Sequence, residues 1–334
     1  GVALPAERAA AATADRTILF VVDTSTSMYG EPLAETKRAL HAASSGIPAG
    51  AQVGLRSFGG PCEDGGITRL PLSAFNPPAF ASAVESLSIE APGTPTPAAL
   101  RAAAAMLPRS GDRTIVLVSD GGSSCGPPCP VARQLADELG EGFRFDVVGF
   151  RAPGNAESEL NCIAQVTGGS YVSVSDSVGL QKALTESAAA RVMSLRLRPK
   201  TFAAAAKGGS ISGLARRRLG RRVGTQVLYT ISENVKVRFT VERLTQGRRA
   251  KGKCRMPTPK TKRARRCTRY VKMPGSFVHN GKAGENRFHF TGRPGARKLR
   301  PGRYRLVATA INPSGNTAKP KRSTFRIVRR ALRR

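Results

Sequence analysis

Two hydrophobic rhythms divide this chain. In the first, short unbroken apolar runs alternate with helical periods. Residues 18–22, all apolar, read as a strand buried on both faces. Residues 53–58, 114–119 and 145–150 repeat that pattern, with shorter strands at 67–72 and 171–174. Between them, apolar positions at helical spacing predict helices over 32–46, 78–87, 98–107, 130–140, 156–166 and 178–193. Pro32 and Pro97 stand at first-turn positions, and Thr96 reads as the N-cap of the 98–107 helix. Strands and helices alternating at this length imply a Rossmann-like, doubly wound, mostly parallel sheet with helices on both faces.

From Leu195 the period changes to two. Val235, Val237, Phe239 and Val241 fall on one face, with Lys236, Arg238, Thr240 and Glu242 on the other. Phe288 and Phe290, Tyr304 and Leu306, and Phe325 and Ile327 continue it, punctuated by turn signals at Asn280-Gly281, Pro301-Gly302 and Asn312 to Asn316. This grammar predicts an all-β sandwich. The expected organisation is an N-terminal segment 1–15, an α/β domain 16–192, a β-sandwich 193–329 and a basic tail 330–334.

Charge marks the same boundary. The chain of 334 residues carries a formal net charge of +32. Residues 1–191 hold 14 basic and 19 acidic side chains, whereas residues 192–334 hold 40 and 3. A field of this sign attracts polyanions over about 8 Å at physiological salt. Candidate contacts are Lys260, Lys262, Arg263, Arg265 and Arg266, between Cys254 and Cys267. An anionic cell-envelope polymer fits this surface. The aromatic residues fall at strand-core positions rather than on a stacking platform, which argues against sequence-specific nucleic-acid readout.

Six cysteines, an even number, fit an oxidising compartment. The Ala-rich start at Gly1 reads as the residue of a removed signal peptide, and no apolar run reaches membrane-spanning length, so a secreted or cell-surface protein is expected. A Cys254–Cys267 bridge would close the basic loop. Among Cys62, Cys125, Cys129 and Cys162, the expected pairing is Cys125–Cys129 with Cys62–Cys162; the rival is a four-thiolate zinc site, disfavoured by irregular spacing.

The chemistry concentrates at the ends of two buried strands. The first ends in Asp23-x-Ser25-x-Ser27, the fourth in Ser119-Asp120-Gly121, and Gly93-Thr94-Pro95 precedes an Ala-rich helix. Carboxylates and hydroxyls at the C-terminal edge of a parallel sheet form an all-oxygen donor set for a hard cation. Together the three segments resemble the metal-ion-dependent adhesion site of von Willebrand factor A domains, over residues 16–192. The resemblance implies that Asp23, Ser25, Ser27, Thr94 and Asp120 hold Mg2+, alternatively Mn2+ or Ca2+. It further implies that an exposed carboxylate of a protein or other partner fills an open position on the ion. Thr96 competes for the threonine role, but Thr94 stands directly before Pro95 as the family pattern requires. The basic half resembles immunoglobulin-like or fibronectin-like modules of secreted actinobacterial proteins through GRYRLVATAINPSGN and its final strand.

Enzyme classes fit less well. Haloacid-dehalogenase-type phosphatases need a second Asp where Ser25 stands, removing the general acid/base. No phosphate-binding glycine pattern occurs, and His41, His279 and His289 suit ordinary, partly exposed roles. A non-enzymatic binding module is therefore expected, with a polyanion-binding protein that uses the α/β domain as scaffold as the alternative.

Overall fold

A computed structural model describes residues 16–48, 50–212, 223–250, 252–295 and 297–329. The segment 1–15 and the tail 330–334 lie outside the described residues. The chain forms two compact units that divide between Ala189 and Ala190.

The first unit runs β1 (Arg16–Asp23), α1 (Glu31–Ala43), β2 (Gln52–Phe58), β3 (Ile67–Ala74), α2 (Pro77–Glu85), α3 (Thr96–Ala105), β4 (Asp112–Ser119), α4 (Pro128–Leu139), β5 (Phe143–Phe150), α5 (Gly154–Val166), β6 (Tyr171–Val174) and α6 (Ser177–Ala188). Its six strands lie in the order β3-β2-β1-β4-β5-β6. All neighbours are parallel except β2 and β3. Side chains alternate across β1. Ile18, Phe20 and Val22 pack with α1, α2 and α6, while Leu19 and Val21 pack with α3, α4 and α5. Burial on both faces is why the strand reads as an unbroken apolar run. The strand order reverses between β1 and β4, which places the topological switch point between their C-terminal ends.

The opposite ends of these two strands are closed by buried guanidinium groups. Arg16 donates to the carbonyls of Ala189 at 2.7 Å and Ser187 at 3.0 Å. Arg113 donates to five loop carbonyls, among them Glu141 at 2.6 Å and Arg109 at 2.8 Å. These bonds satisfy backbone oxygens that neither helix nor sheet reaches.

Three expectations need correction here. The last helix ends at Ala188 rather than Met193; Ala189 is extended (ψ 156°), and its carbonyl is taken by Arg16. Strand pairing then claims Val192 to Arg198, so the second unit begins a few residues earlier than the composition shift indicates. Thr96 is not a cap: Pro95 occupies that position, and Thr96 is the buried first residue of α3. The Asn280-Gly281 signal does not mark the turn either, because both residues still pair with the neighbouring strand.

The second unit contains β7 (Val192–Arg198), β8 (Thr201–Ala203), β9 (Ile211–Ser212), β10 (Thr225–Ile231), β11 (Val235–Ala250), β12 (Lys253–Arg255), β13 (Arg266–Gly281), β14 (Gly284–Phe290), β15 (Gly302–Ile311) and β16 (Lys321–Val328). One sheet has the order β7-β10-β14-β9, the other β12-β11-β15-β16-β8, with β13 pairing on β11. Val227, Tyr229, Phe288 and Phe290 from the first interdigitate with Val237, Phe239, Tyr304 and Phe325 from the second in one buried cluster, making a β-sandwich. The alternation legible in 235–242 is the burial pattern of β11. Its continuation to Ala250 forms a long ribbon with β13.

Candidate metal centre

β1 delivers Asp23 to the switch point as its last residue, fully buried. The chain then turns so that Ser25 faces back. Its amide donates to Asp23 Oδ1 at 2.9 Å and its hydroxyl to the same oxygen at 2.6 Å. Ser25 Oγ lies 3.1 Å from Ser27 Oγ, and Ser27 Oγ donates to Asp120 Oδ1 at 2.9 Å. A continuous line of oxygens thus runs from buried Asp23 to the half-buried Asp120, passing the exposed Ser27.

The other oxygen of Asp23 is held by a residue that the sequence reading did not assign. Ser119 Oγ donates to Asp23 Oδ2 at 2.6 Å. Val22 pairs with Val118 in the parallel register, so Asp23 and Ser119 end their strands side by side. The signal was present only as the Ser in Ser119-Asp120-Gly121; its role depends on register.

Thr94 joins the centre by backbone. Its amide donates to Ser124 Oγ at 2.8 Å, and its carbonyl accepts from Ser124 N at 3.2 Å and Ser123 Oγ at 3.4 Å. The loop carrying Thr94 is hooked to the others at two points. Gly60 N donates to Gly93 O at 3.0 Å, and Glu90 N to Thr24 O at 3.1 Å. Gly93 has φ +106°, and a Cβ there would stand 2.3 Å from Gly60 O, so only glycine permits this approach. The structure therefore brings Asp23, Ser25, Ser27 and Asp120 into one bonded network and places Thr94 on an adjoining, clamped loop.

Electrostatically the centre lacks a cation. Burial pushes the Asp23 carboxyl up to about 6, against the lowering effect of hydrogen bonds from Ser119 and Ser25. Burial also raises Asp120, opposed by the Ser27 hydroxyl. Neither carboxylate has a basic partner among the described residues. A fully buried carboxylate without a counter-charge is costly, and a divalent ion beside it would remove that cost. The donors are all oxygen, so the residues fit a hard cation. Among the described residues no group of three or more His, Cys, Asp or Glu could hold a metal; this centre has two carboxylates and completes its donors with hydroxyls.

Disulfides brace the surrounding loops, with a pairing different from the expected one. Cys62 bonds to Cys125 and Cys129 to Cys162, with Cα atoms 5.2 and 5.7 Å apart. Cys125 lies in the loop after β4, facing the loop after β2, whereas Cys129 lies in the first turn of α4, against α5. Four residues of sequence therefore separate two different neighbours, which excludes the local Cys125–Cys129 bridge and the four-thiolate zinc alternative. Cys254 bonds to Cys267 across the ribbon end, closing the segment with Lys260, Lys262, Arg263, Arg265 and Arg266. Those five cations belong to the second unit and contribute nothing to this centre. Among the histidines, His41 lies 2.6 Å from Glu85, and His279 Nδ1 lies 2.6 Å from the Tyr229 hydroxyl.

Residues 18–123 match the family model described as von Willebrand factor type A domain. The first unit carries a von Willebrand factor type A domain. Among solved structures, similar chains include BatB from Bacteroides thetaiotaomicron, at 21% identity over 52% of this chain and 96% of that one, TM-score 0.44. A von Willebrand factor type A protein from Catenulispora acidiphila shows 14% identity over 94% of this chain and 66% of that one, TM-score 0.45. Proximal thread matrix protein 1 of the mussel byssus, with a zinc-occupied MIDAS motif, shows 18% identity over 53% and 49%, TM-score 0.40. No curated protein matches the sequence. The A domain's candidate metal centre lies within the matched segment except for Ser124, which follows its last residue.

Proposed function

We propose that this is an extracellular binding protein whose A domain captures a carboxylate-bearing partner through a divalent cation held at Asp23, Ser25, Ser27 and Asp120, with Thr94 completing the shell. The observation that carries this reading is Asp23: a fully buried carboxylate with no basic partner, bonded outward through Ser25 and Ser27 to a carboxylate at the surface. Mg2+ is the first choice for an all-oxygen site, with Mn2+ and Ca2+ as alternatives. The bound ion would supply an open coordination position to a partner's carboxylate.

The chain's own residues do the remaining work. Ser119 and Ser25 fix the Asp23 carboxylate, so its orientation is set before an ion arrives. Ser27 and Asp120 stand where a partner can approach. Tyr29, two residues beyond Ser27 and 77% exposed, supplies an aromatic contact beside the capture point. Nothing in this arrangement pairs a nucleophile with a base, which favours binding over turnover. Three disulfides support an oxidising compartment. No described helix is long and apolar enough to cross a membrane.

Calorimetric titration of Mg2+, Mn2+ and Ca2+ into the intact protein and into Asp23→Ala tests the reading. Binding in the first and none in the second is expected. Absence of binding for all three ions in the intact protein would sink it.

A further inference from the structure

The β-sandwich contains a basic cleft away from the disulfide-closed loop. Opposite Val241 of β11, strand β13 carries three residues, Met273, Pro274 and Gly275, in a bulge between the Thr240–Ser276 and Glu242–Lys272 pairs. Gly275 has φ +95°, and a Cβ there would stand 2.3 Å from Pro294 O, so the bulge closes directly onto the segment before β15. Between them lies a cavity of about 480 Å³ lined by Arg243, Arg297, Lys298 and Arg300, with Tyr304 in its wall. A second groove of about 580 Å³, lined by Arg238 and Lys272, shares Met273 and Pro274 with the first.

Three features distinguish this cleft from a merely solvated basic face. No acidic side chain lines either groove. Its cations are held in place: Arg243 lies over the Tyr304 ring with its Cζ 6.0 Å from the centroid, and the buried Tyr304 hydroxyl donates to Arg300 O at 2.8 Å. Glu242, the adjacent acid on β11, is committed to Arg305 and so leaves Arg243 uncompensated. Guanidinium groups in fixed positions match phosphate oxygens bidentately. Two such grooves in sequence would engage successive charges of one chain.

We propose that this double groove binds the phosphate groups of a linear phosphate polymer, with Arg243, Arg297, Lys298 and Arg300 as the principal contacts and Arg238 and Lys272 extending the track. The aromatic rings around it are core residues, Tyr304 at 1% exposure and Phe239 at 0%, so no base-stacking platform is present and the polymer is read by charge alone. The site is distinct from the Lys260–Arg266 loop, which lies about 17 Å further along the ribbon at the usual strand rise.

The test is equilibrium binding of linear inorganic polyphosphate to the intact chain across a salt series. With four phosphate contacts, the log–log salt slope should be roughly −3, by analogy with single-stranded nucleic acid. Arg243→Gln/Arg300→Gln should bind about tenfold more weakly with the slope roughly halved. Arg297→Gln/Lys298→Gln, both fully on the surface, should show the same loss with an unchanged melting temperature, separating contact loss from unfolding. Wild-type binding by both double variants, or a loss confined to Lys260→Gln/Lys262→Gln, overturns the proposal. Duplex DNA provides the last arm: binding indifferent to base sequence agrees with readout by charge, and a sequence preference overturns it.

Discussion

Ser119 and Asp23, 96 residues apart, end adjacent parallel strands and share a 2.6 Å hydrogen bond in the floor of the candidate metal centre. That bond opposes the effect of burial on the Asp23 carboxyl. Ser119→Ala removes it, so the pH at which divalent-ion affinity is half lost should rise above the value near 6 set by Asp23. The orphaned carboxylate oxygen should also destabilise the fold by about 1–3 kcal/mol. Ion titrations between pH 5 and 8 on both proteins check this; coincident pH profiles would contradict it.

The same carboxylate makes the metal-free protein pH-sensitive in a defined direction. Its folded pKa lies above the unfolded value, 3.8 against about 6. The stabilising contribution is therefore fully present below about 4 and is lost as pH rises through about 6. The size of the effect is on the order of 3 kcal/mol. In EDTA, Asp23→Asn should flatten this part of the stability curve, measured by urea unfolding between pH 4 and 7. Added Mg2+ should restore more stability at pH 7 than at pH 5, because only the ionised carboxylate is an effective ligand.

Ser124 holds Thr94 by two hydrogen bonds and neighbours Cys125, which is bonded to Cys62. Ser124→Ala should lower ion affinity several-fold while leaving the fold intact, since this residue is exposed. Removing the bridge with Cys62→Ser/Cys125→Ser frees a loop of 63 residues' separation, a change of about 4 kcal/mol in the chain-entropy model. Thermal unfolding and ion calorimetry on the two variants separate positioning from stability. Equal ion affinity in Ser124→Ala and wild type would remove Ser124 from the positioning role.

Phe239 is fully buried in the sandwich core, within 5.0 to 5.5 Å of the rings of Phe288, Phe277 and Tyr229. Phe239→Ala should cost about 3–5 kcal/mol. Because no part of the metal centre comes from the sandwich, ion affinity should stay unchanged at temperatures where the variant remains folded. Denaturant unfolding beside calorimetry provides both readings.

Local signals made much of this protein legible in its amino-acid sequence. Apolar runs marked the strands buried on both faces, period-two alternation marked the sandwich, and charge marked the change of unit. Asp23, Ser25 and Ser27 are spaced within five residues, so their convergence follows from one turn of chain. Asp120 was legible as a carboxylate ending a second buried strand. Other features depend on long-range closure. Ser119 reaches Asp23 only because β1 and β4 pair in a register that aligns Val22 with Val118. Cys125 and Cys129 part company because a helix begins between them, directing one sulfur to the β2 loop and the other to α5. The helical pattern to Met193 gave way at Ala189, where Arg16 from the first strand takes the carbonyl. The cleft around Arg243 has no sequence signature, since its walls are a strand bulge and a loop about 20 residues downstream. Residue type and spacing set which groups can bond, while register and packing set which ones meet.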